Sequence, residues 1–390
     1  MNEFNLIKGD CIEELKKLPS GSIDVVISSP PYWALRNYKT TGQIGLEDHP
    51  QKYIEKIFEV MKECKRVIKP TGSIILNLGD SYYTKSGSGT GSNFKKRHEQ
   101  LDGGDGVLTK AHNEIRGKYK SNWLQSKQRL LIPYRLAIKC QDELGLILRN
   151  EIIWVKSIIN WKTKESSGSS MPSSVNDRLN TTNEVIFFFV KSPKHYYFDL
   201  DSIRIPHKSV SIKRNSYPRY ADTKEQGVSF GRPVNPGEML SPNGKNPGNC
   251  IMFPLEPSKL GHYAMFPQTL PEFFIKACCP EFVCNKCGKP RFKIFKKEKV
   301  GKTESNYNDG YGQSGLQWKE PAKKELVGYT DCGCNKGFSP GLVLDPFNGL
   351  ATTGLVALKN KRRYIGIDLN EEYLKLSLER VKPYLSQKTL

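Results

Sequence analysis

From Leu342 to Lys359 the chain reads LVLDPFNGLATTGLVALK, and few folds accommodate that succession. A run able to form a buried strand ends on a carboxylate, a glycine-containing turn follows, and apolar residues then recur at helical spacing. Strand, acid, turn and helix in that order belong to open α/β sheets, where ligands settle outside the carboxyl ends of the strands. Gly349 lets the backbone approach a ligand closely. Amides near Thr352 and Thr353 offer donors at the positive end of a helix dipole. An acid at this place disfavours phosphate and suits the ammonium of an amino-acid cofactor. Asp368 closes a second strand, RRYIGID, about 20 residues later, where a carboxylate accepts hydrogen bonds from ribose hydroxyls. One such turn is compatible with an ordinary capping Asp; two acids at neighbouring strand ends point to a cofactor.

A similar construction lies far upstream. IDVVISSPPYW (Ile23 to Trp33) is a β-branched run that stops at a double proline, so a buried strand feeds a rigid loop. YIEKIFEVMKECKRVIKP has helical apolar spacing and SIILNLGD reads as the next buried strand. The pattern resumes with the amphipathic RLLIPYRLAIKCQDE and the strands EIIWVK and EVIFFFVK, between which lies the polar loop NWKTKESSGSSMPSSVNDR. Helices are expected at LPEFFIKAC and NEEYLKLSLERV. At 390 residues and 37% hydrophobic content the chain can bury a substantial core.

These segments, taken in order, resemble the beta-class DNA amino-methyltransferases. DPFNGLATTG is similar to that family's DPFxGSGTT signature, with Leu350 and Ala351 in place of the usual Ser-Gly pair. SPPY resembles the catalytic motif of the N4-cytosine-specific members, whereas adenine-N6 enzymes mostly carry DPPY or NPPY. KGDCIEELKKLPSGSIDVVISSPPY, RVIKPTGSIILNLGD, MPSSVNDRLNTTNEVIFFFVKSPKHYYFD and HYAMFPQTLPEFFIKA are similar to other family segments. The fold implied is α/β: a Rossmann-like, S-adenosylmethionine-dependent methyltransferase fold with a mostly parallel, doubly wound seven-stranded sheet. The resemblance implies S-adenosylmethionine as cofactor, held by Asp10, Phe266, Pro267, Asp345, Pro346, Phe347, Gly349, Thr352, Thr353, Gly354 and Asp368. It makes Ser29, Pro30, Pro31 and Tyr32 the catalytic residues.

The chemistry explains why SPPY suits this task. The amino lone pair of cytosine is delocalised into its ring, so acceptors must draw on the N–H groups to localise it toward the methyl donor. The Ser29 hydroxyl and Pro30 carbonyl are such acceptors. Two prolines fix the backbone in advance, and Tyr32 offers an aromatic face to a base flipped out of the duplex. A general base is not assigned, because the methylated amine is acidic enough to lose its proton to solvent or a backbone carbonyl.

Sixty Lys and Arg against forty Asp and Glu give a formal net charge of +20, a field that attracts polyanions. Double-stranded DNA is the expected partner. Two irregular basic stretches, 81–128 and 202–261, are expected to be surface insertions, with Lys95, Lys96 and Arg97 in the first and Lys213 and Arg214 in the second on the phosphate backbone. No apolar run reaches the ~18 residues of a membrane span and the N-terminus lacks a signal-peptide pattern, so a cytoplasmic, nucleoid-associated protein is expected.

Ten cysteines in a cytosolic chain argue for thiols or metal over disulfides. Cys284 and Cys287 form a CxxC, Cys332 and Cys334 a CxC, and the spacing suits four thiolates around one structural zinc. Cys278 and Cys279 are competing ligands. Cys11, Cys64, Cys140 and Cys250 are expected to be small buried residues. None of the six histidines falls in a metal or triad pattern.

The expected organisation is a catalytic half (1–80 and 129–201) interrupted by the first basic insertion (81–128), a target-recognition region (202–261), a cofactor-adjacent motif and helix (262–280), a zinc-ribbon-like insertion (281–338) and the cofactor-binding half (339–390). Three functions fit. The first is site-specific N4-cytosine methylation of DNA in a restriction-modification or epigenetic system, with a cognate endonuclease as an indirect partner. Adenine-N6 methylation on the same fold is the second, and a zinc-containing nucleic-acid-binding protein with an inactive methyltransferase fold is the third.

Overall fold

The computed structural model describes residues 3–38, 40–83, 124–170, 175–215, 240–241, 243–254, 266–297, 302–308, 314–318 and 324–385. Lys95, Lys96, Arg97, His262 and most of the two basic stretches lie outside the described residues, as do the side chains of Lys213 and Arg214. The chain divides into two compact units. One comprises Met1–Phe198, Asn249–Pro290 and Gly337–Leu390, the other Asp199–Gly248 and Arg291–Lys336.

The first unit is built on one eight-stranded sheet. Its strands are β1 (Phe4–Lys8), β2 (Ile23–Ser28), β3 (Ile68–Leu78), β4 (Ile147–Val155), β5 (Asn183–Val190), β6 (Cys250–Met252), β7 (Leu342–Asp345) and β8 (Arg363–Asp368). They lie in the order β1-β8-β7-β2-β3-β5-β4-β6. β1, β8, β7, β2 and β3 are mutually parallel neighbours, β5 runs against both β3 and β4, and β6 pairs parallel to β4. Seven strands of the expected kind are thus joined by a three-residue eighth at the edge.

Sequence explains the layering. β2 and β7 are buried at every position, as strands covered on both faces must be, and each is a nearly unbroken aliphatic run. The helices are α1 (Cys11–Lys17), α2 (Pro50–Val67), α3 (Ile132–Leu144), α4 (Thr269–Cys278), α5 (Thr352–Lys359) and α6 (Glu371–Leu385). Along α2 the buried residues Tyr53, Ile54, Ile57, Phe58, Met61 and Cys64 recur every three or four positions, giving the stripe that packs against the sheet. It joins Ile23, Val26, Ile74, Phe187 and Leu344 in one core cluster. His49 caps α2, its Nδ1 accepting from Gln51 N at 2.9 Å.

The second unit holds two antiparallel strand pairs, Lys293–Lys297 with Lys324–Tyr329 and, between them in sequence, Lys302–Asn308 with Ser314–Trp318, and a helix, Ser209–Asn215. Among the described residues no helix is long and apolar enough to cross a membrane.

Candidate active site

The acid at the end of β7 organises the cofactor-type turn. Asp345 is 2% exposed. Its Oδ1 accepts from Ser28 Oγ at 2.5 Å and Phe347 N at 3.1 Å, and its Oδ2 from Thr353 Oγ1 at 2.8 Å. Burial pushes the carboxyl up to about 6, with the donors Ser28, Thr353 and Phe347 pulling the other way. Ser28 is the residue before Ser29, so this one carboxylate ties the DPF turn to the SPPY loop.

Asp368, at the end of β8, accepts from Gly349 N at 2.7 Å and Asn370 N at 2.8 Å, and burial raises its pKa. Gly349 has φ +51°, in the left-handed region that glycine adopts without steric cost. Ala351, where the family signature has glycine, also takes the left-handed conformation, at φ 53° and ψ 42°, so the turn keeps its path at a side-chain steric cost. Asn348 locks the turn from inside: its amide nitrogen donates to Gly349 O and Ser377 Oγ, and its oxygen accepts from the Tyr364 hydroxyl.

A cleft with about 960 Å³ of empty space, part of it open to solvent, lies over these strand ends. Asp10, Ser29, Pro31, Phe266, Asp345, Pro346, Phe347, Gly349, Thr352 and Asp368 line it. Asp10 also caps α1, accepting from Ile12 N and Glu13 N. Pro30, Tyr32, Pro267, Thr353 and Gly354 are not among the lining residues. Thr353 serves Asp345 instead. Gly354 is a packing position, since a Cβ there would lie 2.6 Å from the Tyr364 ring and 2.8 Å from that of Phe4. Tyr38 and Tyr373, whose rings meet edge-on at 6.3 Å, line the cleft without any sequence signal to announce them.

The SPPY loop is fixed from below and behind. The Tyr53 hydroxyl donates to Pro31 O at 2.9 Å, and Trp33 Nε1 donates to Glu47 O at 2.9 Å. The Tyr32 ring packs on Gly79, where a Cβ would come within 2.5 Å of it. Its hydroxyl donates to Glu184 Oε2 at 2.5 Å. Asn77 Nδ2 lies 2.9 Å from both Tyr32 Oη and Glu184 Oε2, while Ser29 Oγ is 3.4 Å from Tyr32 Oη. Lys156 pairs with the other oxygen of Glu184 and sits over the Trp154 ring. Burial, then the neighbouring Glu184 carboxylate, raises the Tyr32 pKa well above the usual phenol range. Tyr32 is thus tied into a hydrogen-bond network, while its ring, expected to offer a face to a flipped base, packs on Gly79 and is not among the cleft's lining residues.

Sequence reasoning missed Asn77, Lys156 and Glu184. The signal for Asn77 and Glu184 was a polar residue in a largely apolar strand, SIILNLGD and NEVIFFFV, while Lys156 simply follows the strand EIIWV. What gathers them is the reversed direction of β5. Its first residues lie level with the last of its neighbours, Val185 opposite Leu78 and Glu184 opposite Trp154.

Of the four expected zinc ligands, Cys284 and Cys287 lie in the first unit and Cys332 and Cys334 in the second. The CxxC turns tightly, with Gly288 N donating to Cys284 O at 2.9 Å and Gly288 at φ +67°. Cys278 and Cys279 are buried beside the sheet, and burial pushes the Cys278 thiol up to about 12. Cys11, Cys64 and Cys140 are buried as expected, whereas Cys250, on the short edge strand β6, is exposed.

Residues 23–287 and 332–379 match the DNA methylase family, N6_N4_Mtase. The chain belongs to the DNA methylase family. Type II methyltransferase M.SfiI of Streptomyces fimbriatus is 25% identical over 473 aligned residues, covering 95% of this chain and 89% of the relative. Type II methyltransferase M.SmaI of Serratia marcescens is 27% identical over 381 residues, 98% of this chain and 91% of the relative. The PvuII DNA methyltransferase (cytosine-N4-specific) superposes with a TM-score of 0.50 at 18% identity, over 100% of this chain and 90% of that one, which shows the shared fold. As a DNA methylase the chain is a transferase acting on DNA. The family embraces both cytosine-N4 and adenine-N6 chemistry.

Proposed function

We propose that this DNA methylase transfers a methyl group from S-adenosylmethionine to N4 of cytosine in double-stranded DNA, as the modifying partner of a type II restriction system. The observation that carries the proposal is the meeting of Ser29 and Asp345 on one cleft, joined through Ser28. S-adenosylmethionine, when bound, supplies an electrophilic methyl group. Asp368 and Asp10 would accept from the hydroxyls of its nucleoside part. Asp345, Pro346, Phe347 and Phe266 would hold its amino-acid end and apolar surface, and Gly349 and Thr352 would let the turn approach it. Ser29 Oγ and the Pro30 carbonyl accept from the target amine and localise its lone pair, while Tyr32 supports the flipped base. Cys284, Cys287, Cys332 and Cys334 would hold one structural zinc with no open position for catalysis.

SPPY favours cytosine over adenine as the target. Nucleoside analysis of DNA methylated by the purified enzyme tests this: N4-methylcytosine is the expected product, and N6-methyladenine would overturn the base assignment while leaving the fold and cofactor intact. Elemental analysis should find about one zinc per chain, lost in Cys284→Ser. A metal-free protein of full activity would remove the zinc.

A further inference from the structure

Glu184 is a carboxylate that the reaction outlined above leaves unused, although it is hydrogen-bonded to Tyr32 of the SPPY loop. It accepts from Tyr32 Oη at 2.5 Å and Asn77 Nδ2 at 2.9 Å, and its second oxygen is paired to Lys156. Its side chain is 14% exposed and that of Lys156 26%, so the pair is largely withdrawn from water. Three donors on one carboxylate are more than strand packing requires. One of them is the hydroxyl of the motif tyrosine, which is in turn 3.4 Å from Ser29 Oγ.

We propose that Glu184 terminates a hydrogen-bonded chain running from the target amine through Ser29 Oγ and Tyr32 Oη to Glu184 Oε2. This inference rests on the methyl transfer proposed above and gives the released proton a route within the protein in place of solvent or a backbone carbonyl. The chain acts in two ways. Before transfer, the negative charge of Glu184 draws the Tyr32 proton toward itself and so polarises Ser29. That makes Ser29 Oγ a stronger acceptor for the amine, because linked hydrogen bonds reinforce one another. As the N–C bond forms and the methyl–sulfur bond breaks, an N–H bond of the amine also breaks. Its proton passes to Ser29 Oγ, the Ser29 proton to Tyr32 Oη, and the Tyr32 proton to Glu184. The methylated base leaves neutral and the proton is later released from Glu184 to solvent. Lys156, paired with the other carboxylate oxygen, fixes the orientation of Glu184. Asn77, donating to both Tyr32 Oη and Glu184 Oε2, holds the two oxygens in register. Glu184 and Lys156 touch neither base nor cofactor and are positioning residues in this scheme.

Single-turnover transfer of labelled methyl to unmodified plasmid DNA, with cofactor and DNA saturating, is the test. Glu184→Gln, which keeps the shape and removes proton uptake, and Tyr32→Phe, which keeps the ring and removes one oxygen, should each slow transfer by about 100-fold. Calorimetric affinity for S-adenosylmethionine should be unchanged in both. Because the two groups lie on one path, the double variant should be no slower than the slower single one. Formate, a small carboxylate, should restore at least about tenfold of the rate lost in Glu184→Ala, which a purely structural role for Glu184 does not predict. Tyr32→Phe keeps the chain testable even where loss of the carboxylate disturbs β5. Wild-type rates in Glu184→Gln or Tyr32→Phe, rate losses that multiply in the double variant, or absence of formate rescue would each overturn the chain while the methyltransferase assignment stands. Failure of the wild-type enzyme to label DNA would overturn both.

Discussion

The DPF turn and the SPPY loop end neighbouring parallel strands and open on one cleft, yet they are held in opposite ways. The DPF turn is held mainly within the C-terminal segment that carries it: Asp345 takes Phe347 N and Thr353 Oγ1, Asp368 takes Asn370 N and Gly349 N, and Asn348 bonds Ser377 and Tyr364, with Ser28 the distant donor. In the SPPY loop the partners come from other elements, Tyr53 on α2, Asn77 on β3 and Glu184 on β5, the last paired in turn with Lys156 just beyond β4. The turn proposed to hold the cofactor is thus built largely within one strand–helix–strand segment, whereas the loop proposed to receive the base is assembled from distant elements and its hydroxyls are linked to ionisable groups.

If that contrast holds, disturbing the SPPY loop changes turnover and disturbing the DPF turn changes cofactor affinity. The largest effect is expected from Ser29→Ala, which removes an acceptor for the target amine and should slow single-turnover methylation by ~10- to 1000-fold with cofactor affinity unaltered. A wild-type rate at saturation would remove SPPY from the chemistry.

The pH dependence of folding should next single out Asp345. Its folded pKa of about 6 lies above the ordinary 3.8, so its contribution to stability is complete below the lower value and is lost as pH rises through the upper one. The loss is about 3 kcal/mol at most. Denaturant midpoints between pH 4 and 7 should therefore fall more steeply for wild type than for Asp345→Asn, and parallel profiles would show that the buried carboxyl titrates normally.

Cofactor affinity gives a comparable or smaller effect: Asp345→Ala and Asp368→Ala should each weaken S-adenosylmethionine by ~1–3 kcal/mol in calorimetry, through loss of an acceptor and, for Asp345, orphaned donors at Ser28 and Thr353. Unchanged affinity in both would put the cofactor elsewhere. Ala351→Gly should do least. Relief of ~1–2 kcal/mol from the left-handed conformation is offset by ~0.8 kcal/mol for the lost buried methyl and by the greater freedom of glycine when unfolded, so thermal melting should shift the stability by no more than about 0.5 kcal/mol.

The same contrast governs what could be read from the sequence. β2 with SPPY and β7 with DPF were legible because pattern and chemistry coincide on contiguous residues, and an aliphatic run ending on an acid or a double proline has few other uses. Glu184 and Asn77 were not. A lone polar residue in an apolar strand acquires meaning only when pairing sets it beside Tyr32, and the direction of β5 is not written in β5. β1, FNLIK, was missed because its short, partly exposed run has a burial pattern no sharper than that of many loops. The left-handed Ala351 ran against residue preference, and tertiary packing around its fully buried side chain decided it.

The central place of β7 has a consequence for biosynthesis. β7 lies between β2 and β8, and the Leu342 amide donates to Asp24 across 318 residues of sequence. On a ribosome adding about 5–20 residues per second, β2 waits roughly a quarter to one minute for this neighbour. Through that interval an aliphatic strand edge stands open to other nascent chains. Chaperone supply and translation speed, more than the stability of the finished sheet, should then set how much enzyme a cell obtains.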